Sequence, residues 1–331
     1  ERGEAGLGLA DATVERTTET DVIRFRVRTR DPLTEVIEPE RFMPETFVIH
    51  SPETPAMLGR WDTGDPIHAP ISGPHRFVVG ASGGGKSTLL YGFLVDDARR
   101  GYVSSWLAGT SKFGDVAEPW LDAAEAVDGR PVPEMWGGGD SGSTAERTAA
   151  ERVIMAAYTL YRHRSASRVP EKRGRTWQGT PTRPWVRLVI DEWDDVVKGN
   201  DRPLRLPNGE SKTVWEMLVD LGSKGRSLGV ELLLATQRAT NEWIGRRSMN
   251  DIIVNCGQRY LLRSSSAADA GDVVKNPQEK AMASRLEEMS FAMLAAVAGE
   301  STPLAYGKST LWGESDLADV TRLANQCGVI T

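Results

Sequence analysis

The chain has 331 residues, of which 40% are hydrophobic and 26% charged, a balance that excludes a disordered polypeptide and suffices for one large core or two modest ones. Its net charge of −6 argues against a surface that grips polyanions over its whole extent, while leaving room for a local basic loop or a channel. No apolar run approaches the ~18 residues of a membrane-spanning helix, and Cys256 and Cys327 are too few for a disulfide framework or a cysteine-built metal cage.

A soluble, cytoplasmic protein with reduced thiols is therefore expected. Because the sequence begins at Glu1 rather than Met, it reads as a portion of something longer, with any membrane-anchoring segment lying outside it. Residues 1–56 mix charge, Thr and Pro around one alternating stretch at 22–27 that predicts a short strand, and are expected to be an N-terminal extension. The main folded unit is expected over 57–331. Its first elements are a small hairpin at 58–61 and 66–67 and a buried strand at 76–79 that runs into a glycine-rich turn and a helix over 86–99. Strands at 102–108, 186–190, 230–235, 259–262 and 291–297, with helices at 144–163, 213–223 and 315–325, complete the reading; 109–143 is left without assigned elements. The runs 186–190 and 230–235 read as wholly apolar, as central parallel strands covered on both faces do. Alternation of strand and helix predicts an α/β fold with a largely parallel sheet.

Gly80-Ala81-Ser82-Gly83-Gly84-Gly85-Lys86-Ser87, followed by Thr88, satisfies G-x-x-x-x-G-K-[ST] between a strand and a helix. Glycines allow positive φ and bring successive N–H groups toward phosphate oxygens, and the helix N-terminus adds partial positive charge. Lys86 is the expected contact to the β- and γ-phosphates, and the Ser87 hydroxyl the expected Mg²⁺ ligand. Kinases, GTPases and motors share this loop. Asp191 and Glu192 end an apolar strand, which sets both carboxylates at the sheet edge beside it: Asp191 to hold Mg²⁺, Glu192 to polarise an attacking water. A glutamate in that place favours hydrolysis over transfer to a metabolite. Gln237, at the end of the 230–235 strand, is either a sensor of the γ-phosphate or a plain strand-end hydrogen-bonder. Arg226, in the turn Lys224-Gly225-Arg226-Ser227, is either an arginine finger offered to a neighbouring subunit or a surface cation capping a helix.

Taken in order, Leu58-Gly59 with Gly64-Asp65-Pro66-Ile67, Pro74-His75, the loop from Gly80 to Ser87, Asp191-Glu192-Trp193-Asp194-Asp195, Gly225-Arg226 and Ala235-Thr236-Gln237-Arg238 resemble the FtsK/SpoIIIE DNA translocase family of RecA-like motors, especially its actinobacterial plasmid-transfer branch. The resemblance runs from about Met57 to the end. It implies a RecA-like P-loop core binding ATP and Mg²⁺, a homo-hexameric ring that hydrolyses ATP at subunit interfaces, and double-stranded DNA moved through the ring, as in conjugation or chromosome segregation. Lys86, Ser87, Asp191, Glu192 and Gln237 would then serve ATP within one subunit and Arg226 in trans, while an isolated chain could remain monomeric. Two departures stand out: Ala239 where the family has proline, and Gly109-Thr110-Ser111-Lys112 in place of Asp-Pro-Lys.

A basic stretch, Arg162, Arg164, Arg168, Lys172, Arg173, Arg175 and Arg183, offers either phosphate contacts, with Trp177 or Trp185 stacking, or merely a solvated loop. Two alternatives to a DNA motor stay open: a type VII-like secretion ATPase moving protein substrates, and a nucleotide-dependent adaptor with little turnover.

Overall fold

The computed structural model describes residues 11–16, 23–28, 33–70, 74–167, 172–173, 176–198, 200–239, 250–263, 269–286, 292–297 and 302–330. Strands β1 (Asp11–Arg16) and β2 (Ile23–Arg28) form an antiparallel pair, so the strand expected at 22–27 is present and has a partner. The short helix α1 (Pro44–Phe47) precedes the hairpin of β3 (Ala56–Trp61) and β4 (Pro66–Ala69). Then follow β5 (Arg76–Val79), α2 (Lys86–Ala98), β6 (Val103–Gly109), α3 (Gly114–Ala126), β7 (Pro133–Gly138) and α4 (Thr144–Ala166). The second half contributes β8 (Trp185–Ile190), α5 (Trp193–Val197), α6 (Val214–Lys224), β9 (Val230–Thr236), β10 (Gln258–Leu262), α7 (Pro277–Leu286), β11 (Ala292–Ala296), β12 (Ala305–Ser309) and α8 (Glu314–Gln326).

One 10-stranded sheet collects most of these strands in the order β4-β3-β12-β11-β10-β5-β9-β8-β6-β7. From β10 to β7 every neighbouring pair is parallel. From β10 through β11, β12 and β3 to β4 every pair is antiparallel, so the terminal strands and the early hairpin extend the parallel core as a meander. This is the mostly parallel α/β sheet with flanking helices that the sequence predicts.

Alternate side chains of the central strands enter different cores, which is why these strands carry so few exposed positions. Phe77, Val79, Leu188, Ile190, Leu232 and Leu234 pack with Ile154, Ala157 and Tyr158 of α4 and Met217, Leu218 and Leu221 of α6. Val78, Val189, Leu233 and Ala235 pack against Phe93 and Leu94 of α2, Trp120 of α3 and Leu317 and Val320 of α8. The two long helices on the first face start with reciprocal caps. Ser143 Oγ accepts from the Glu146 N–H at 3.3 Å while Glu146 Oε2 accepts from the Ser143 N–H at 3.0 Å, and Thr213 and Glu216 repeat the arrangement at 3.2 and 2.7 Å.

Two sequence readings need correction. The strands at 186–190 and 230–235 are not wholly apolar: Arg187 and Glu231 sit opposite each other in register and are both 1% exposed. Arg187 Nη2 and Arg76 Nη1 each lie 3.2 Å from Glu231 Oε2, Arg187 also pairs with Asp97 of α2, and Arg76 Nε donates to Gln258 Oε1 at 2.9 Å. These charges are tolerated inside because each faces an opposite charge, and together they tie β10, β5, β9, β8 and α2 into one polar seam. The stretch 109–143, unassigned from sequence, supplies α3 and the edge strand β7. Pro119 within α3 and the glycines of β7 hid both elements. Those glycines have a packing reason: a Cβ at Gly137 would stand 2.4 Å from the Ala149 carbonyl oxygen of α4.

Candidate active site

Six parallel strands end at one sheet edge, and the chemistry predicted from the sequence converges there. The glycine loop leaves β5 between the ends of β9 and β10. The Gly80 N–H donates to the Thr236 carbonyl at 3.1 Å and the Ala81 N–H to the Arg263 carbonyl at 2.8 Å, pinning the loop on both sides. Gly83 and Gly85 adopt φ of 71° and 93°, values in the left-handed region that other residues avoid. Gly85 caps α2 without a side-chain hydrogen bond, so the first-turn N–H groups of the helix point out of the loop as donors. At Gly84 the limit is space, since an added Cβ would lie 2.8 Å from the Arg263 carbonyl oxygen and 2.9 Å from that of Ala81.

Lys86, 8% exposed, reaches across the loop to the end of β8, where its Nζ donates to Asp191 Oδ1 at 2.8 Å and to Glu192 Oε1 at 2.5 Å. Burial pulls the Lys86 pKa down, but the two carboxylates outweigh it and hold the side chain as an ammonium, above its usual range. Glu192 stands at a left-handed φ of 47°, a costly conformation that turns its side chain back toward Lys86 at the start of α5. Because β9 lies between β5 and β8, its end falls between the glycine loop and the acidic pair. From there Gln237 Nε2 donates to Glu192 Oε1 at 2.8 Å.

A cleft of about 910 Å³ opens over this cluster and is lined by residues Ala81 to Thr88, by Asp191 and Glu192, by one face of α3 along its length and by the first turn of α8. Ser87 and Asp191 therefore share a wall, as oxygen donors of the hard type that Mg²⁺ takes.

Two cleft features were not anticipated. Lys112, at a left-handed φ of 54°, donates from Nζ to Ser82 Oγ at 3.0 Å and adds a second cation beside the loop. Its neighbour Ser111 donates to Asp195 Oδ2 at 2.6 Å, so the segment that departs from Asp-Pro-Lys is fastened to the acidic turn. Asp194, 2% exposed, accepts from the Thr236 hydroxyl at 2.6 Å, joining the turn after β8 to the end of β9 just before Gln237. Burial raises its pKa to about 6, against the pull of the Thr236 hydrogen bond. The run Asp191-Glu192-Trp193-Asp194-Asp195 was the available signal, but spacing does not say which carboxylate faces inward.

Arg226 is not part of this assembly. It lies exposed in the turn Gly225–Leu228 ahead of β9, and hence at the opposite edge of the sheet, near His75. The basic stretch is also dispersed. Arg164, 5% exposed, donates to the carbonyls of Leu228, Gly229 and Pro184 at 3.0, 2.8 and 2.7 Å and lies 4.0 Å over the Trp177 ring. Trp177 and Trp185 are buried at 1% and 3%, so neither is a stacking platform. Arg162 pairs with Glu210 at 3.2 Å, and the side chains of Arg168, Lys172, Arg173 and Arg175 lie outside the described residues.

No family model matches the chain. Over 231 residues, 66% of its length, the chain is 22% identical to the DNA translocase FtsK of Staphylococcus aureus, and it spans 26% of that relative. Its fold is similar to that of the cytoplasmic domain of the type VII secretion ATPase EccC of Thermomonospora curvata, with a TM-score of 0.58 at 19% identity over 90% of this chain and 33% of that one. A TM-score of 0.56 at 13% identity relates it to a monomer form of the pCW3 conjugation coupling protein TcpA with ATPγS, over 94% of this chain and 80% of that one. With its glycine loop, acidic strand end and intervening glutamine at one edge of a RecA-like sheet, the chain is distantly similar in sequence to FtsK and similar in fold to the EccC and TcpA structures.

Proposed function

We propose that the chain is the ATP-hydrolysing motor unit of a translocase that moves double-stranded DNA. The observation that carries the reading is the convergence of Lys86, Asp191, Glu192 and Gln237 within hydrogen-bond distance at the mouth of the glycine loop. In the proposed reaction the loop N–H groups and Lys86 take the β- and γ-phosphates, and Glu192 accepts a proton from the attacking water. Gln237, bonded to Glu192, registers whether the γ-phosphate is present and passes this to β9. Ser87 and Asp191 would hold Mg²⁺, which when bound neutralises charge on the phosphates.

Arg226 lies at the opposite sheet edge from its own cleft; in this reading it acts in trans, across an interface of a homo-hexameric ring, the alternative being a surface cation at the end of α6. DNA as cargo is supported by the sequence similarity to a DNA translocase. With Arg164 and the two tryptophans buried, the basic stretch no longer adds to that argument. Secretion of a protein substrate is the second reading, favoured by the extent of the fold likeness to EccC. Among the described residues no helix is long and apolar enough to cross a bilayer.

The test is steady-state ATP hydrolysis by the wild-type chain and by Glu192→Gln, each with and without linear duplex DNA over a salt series. Stimulation by DNA that salt abolishes, with an inactive variant, supports the DNA motor. Basal hydrolysis indifferent to DNA shifts the reading to protein cargo, and hydrolysis by the variant at the wild-type rate ends the assigned role of Glu192.

A further inference from the structure

Resting on the ATPase reading above, we propose that Val36, Ile37 and Leu311 form the seat of the nucleobase, so that a segment ahead of the motor core completes its nucleotide site. The cleft runs well beyond the glycine loop, and its charge is divided. Lys86 and Lys112 stand at the loop end, while Lys308, 6% exposed, lines the cleft beside Leu311 with its ammonium on the Leu33 carbonyl. Asp115, Glu118 and Asp122, spaced to share one face of α3, line the cleft farther out, with Glu314 of α8. That acidic wall repels a triphosphate and so confines the phosphates to the loop end. Hydroxyl donors, such as those of a ribose, are the groups it accepts.

From a phosphate at Thr88 the nucleoside leaves along the first turns of α2, past Tyr91, toward two apolar side chains that the fold leaves uncovered. Val36 is 56% exposed and Leu311 46% exposed, and both border the same cleft. Their backbones are fixed, because the Leu311 N–H donates to the Ile37 carbonyl at 2.9 Å and Lys308 Nζ, 6% exposed, donates to the Leu33 carbonyl at 2.9 Å. A planar base against Val36 and Leu311 removes apolar surface from water on both sides, and the seat is preformed rather than ordered on binding. The occupant is the base of the same nucleotide whose phosphates lie on the loop, since seat and loop line one continuous cavity.

The experiment compares dissociation constants of ATP and of inorganic tripolyphosphate, both with Mg²⁺, for the wild-type chain, Val36→Asp, Leu311→Asp and Lys86→Ala. Tripolyphosphate reports the loop without the base. The expected result is that the two aspartate variants weaken ATP by about tenfold or more and leave tripolyphosphate unchanged, while Lys86→Ala weakens both. Unchanged ATP affinity in both aspartate variants, or equal losses for the two ligands, overturns the seat. A wild-type chain that binds neither ligand refutes the ATPase reading instead. As a second measurement on unaltered protein, 8-azido-ATP is expected to label the peptide containing Val36 or that containing Leu311 on irradiation; labelling confined to residues 115–122 overturns the proposal.

Discussion

Gln237 donates a 2.8 Å hydrogen bond from Nε2 to the Glu192 oxygen that also receives Lys86. A single carboxylate oxygen thus connects the end of β9 to the lysine of the glycine loop. Glu192→Gln keeps the shape and removes the base, so its single-turnover rate is expected to fall by roughly 10²–10⁴ while ATP still binds. Gln237→Ala is expected to lower that rate by about tenfold, the equivalent of ~1.4 kcal/mol for one hydrogen bond to a charged group. Rapid-quench single-turnover kinetics measure both, and a wild-type rate for Gln237→Ala detaches that residue from the reaction.

Gly84→Ala separates binding from folding. The added methyl meets two backbone carbonyl oxygens rather than a flexible side chain, so the loop must shift away from its phosphate-binding form. ATP affinity is expected to fall by about a hundredfold, roughly 2.7 kcal/mol. Because Gly84 is itself buried, the unfolding midpoint is read beside the affinity, and the affinity is expected to fall further than the stability does. Calorimetric titration beside a denaturation curve gives both quantities, and retained affinity would show that the loop adapts.

Glu231 sits between Arg76 and Arg187 at 3.2 Å from each, all three nearly inaccessible to water. Replacing it by Ala leaves two guanidinium groups facing each other in the core, at an expected cost of about 3–5 kcal/mol. Urea unfolding of Glu231→Ala checks the figure. A loss below about 1 kcal/mol would mean that water or a rearranged Asp97 compensates the charges.

His75 provides a pH signature. Burial, aided by the nearby Arg226 and Arg76 and opposed by Glu231, lowers its pKa from 6.5 to about 4, and its Nδ1 accepts the Leu232 N–H at 2.9 Å. A base whose folded pKa lies below its unfolded one favours the neutral form in the fold. Its contribution is therefore complete above pH 6.5 and is lost as pH falls toward about 4, by roughly 3 kcal/mol in all. His75→Asn retains an acceptor and cannot be protonated, so the difference in unfolding free energy between wild type and variant should drift by that amount between these pH values. A difference independent of pH refutes the assignment.

How much of this was legible in the sequence depends on whether the signal was local. The loop from Gly80 to Ser87 was readable in full, because its glycines and lysine act through backbone geometry set within a few residues. The central strands and the helices at α2, α4, α6 and α8 were readable because apolar periodicity reports burial. Arg187 and Glu231 were passed over for a related reason: inside a strand of five apolar neighbours a charge looks like noise until its partner, on a strand far along the chain, is known. The stretch holding α3 and β7 was unreadable because Pro119, Gly137 and Gly138 carry the signature of loops, although here Gly137 admits α4 at close range.

By itself, then, the sequence determined the glycine loop between β5 and α2, the strand ending in Asp191 and Glu192, and the α/β class, each encoded by residues adjacent in the chain. Only the tertiary structure decided that β9 lies between β5 and β8 and so brings Gln237 onto Glu192, that Lys112 and Asp194 join the cluster, and that Arg226 faces the opposite edge. It also decided that Arg164, Trp177 and Trp185 are interior. These are outcomes of strand order and helix packing, which depend on contacts between residues distant in sequence and leave no mark on the spacing of neighbours.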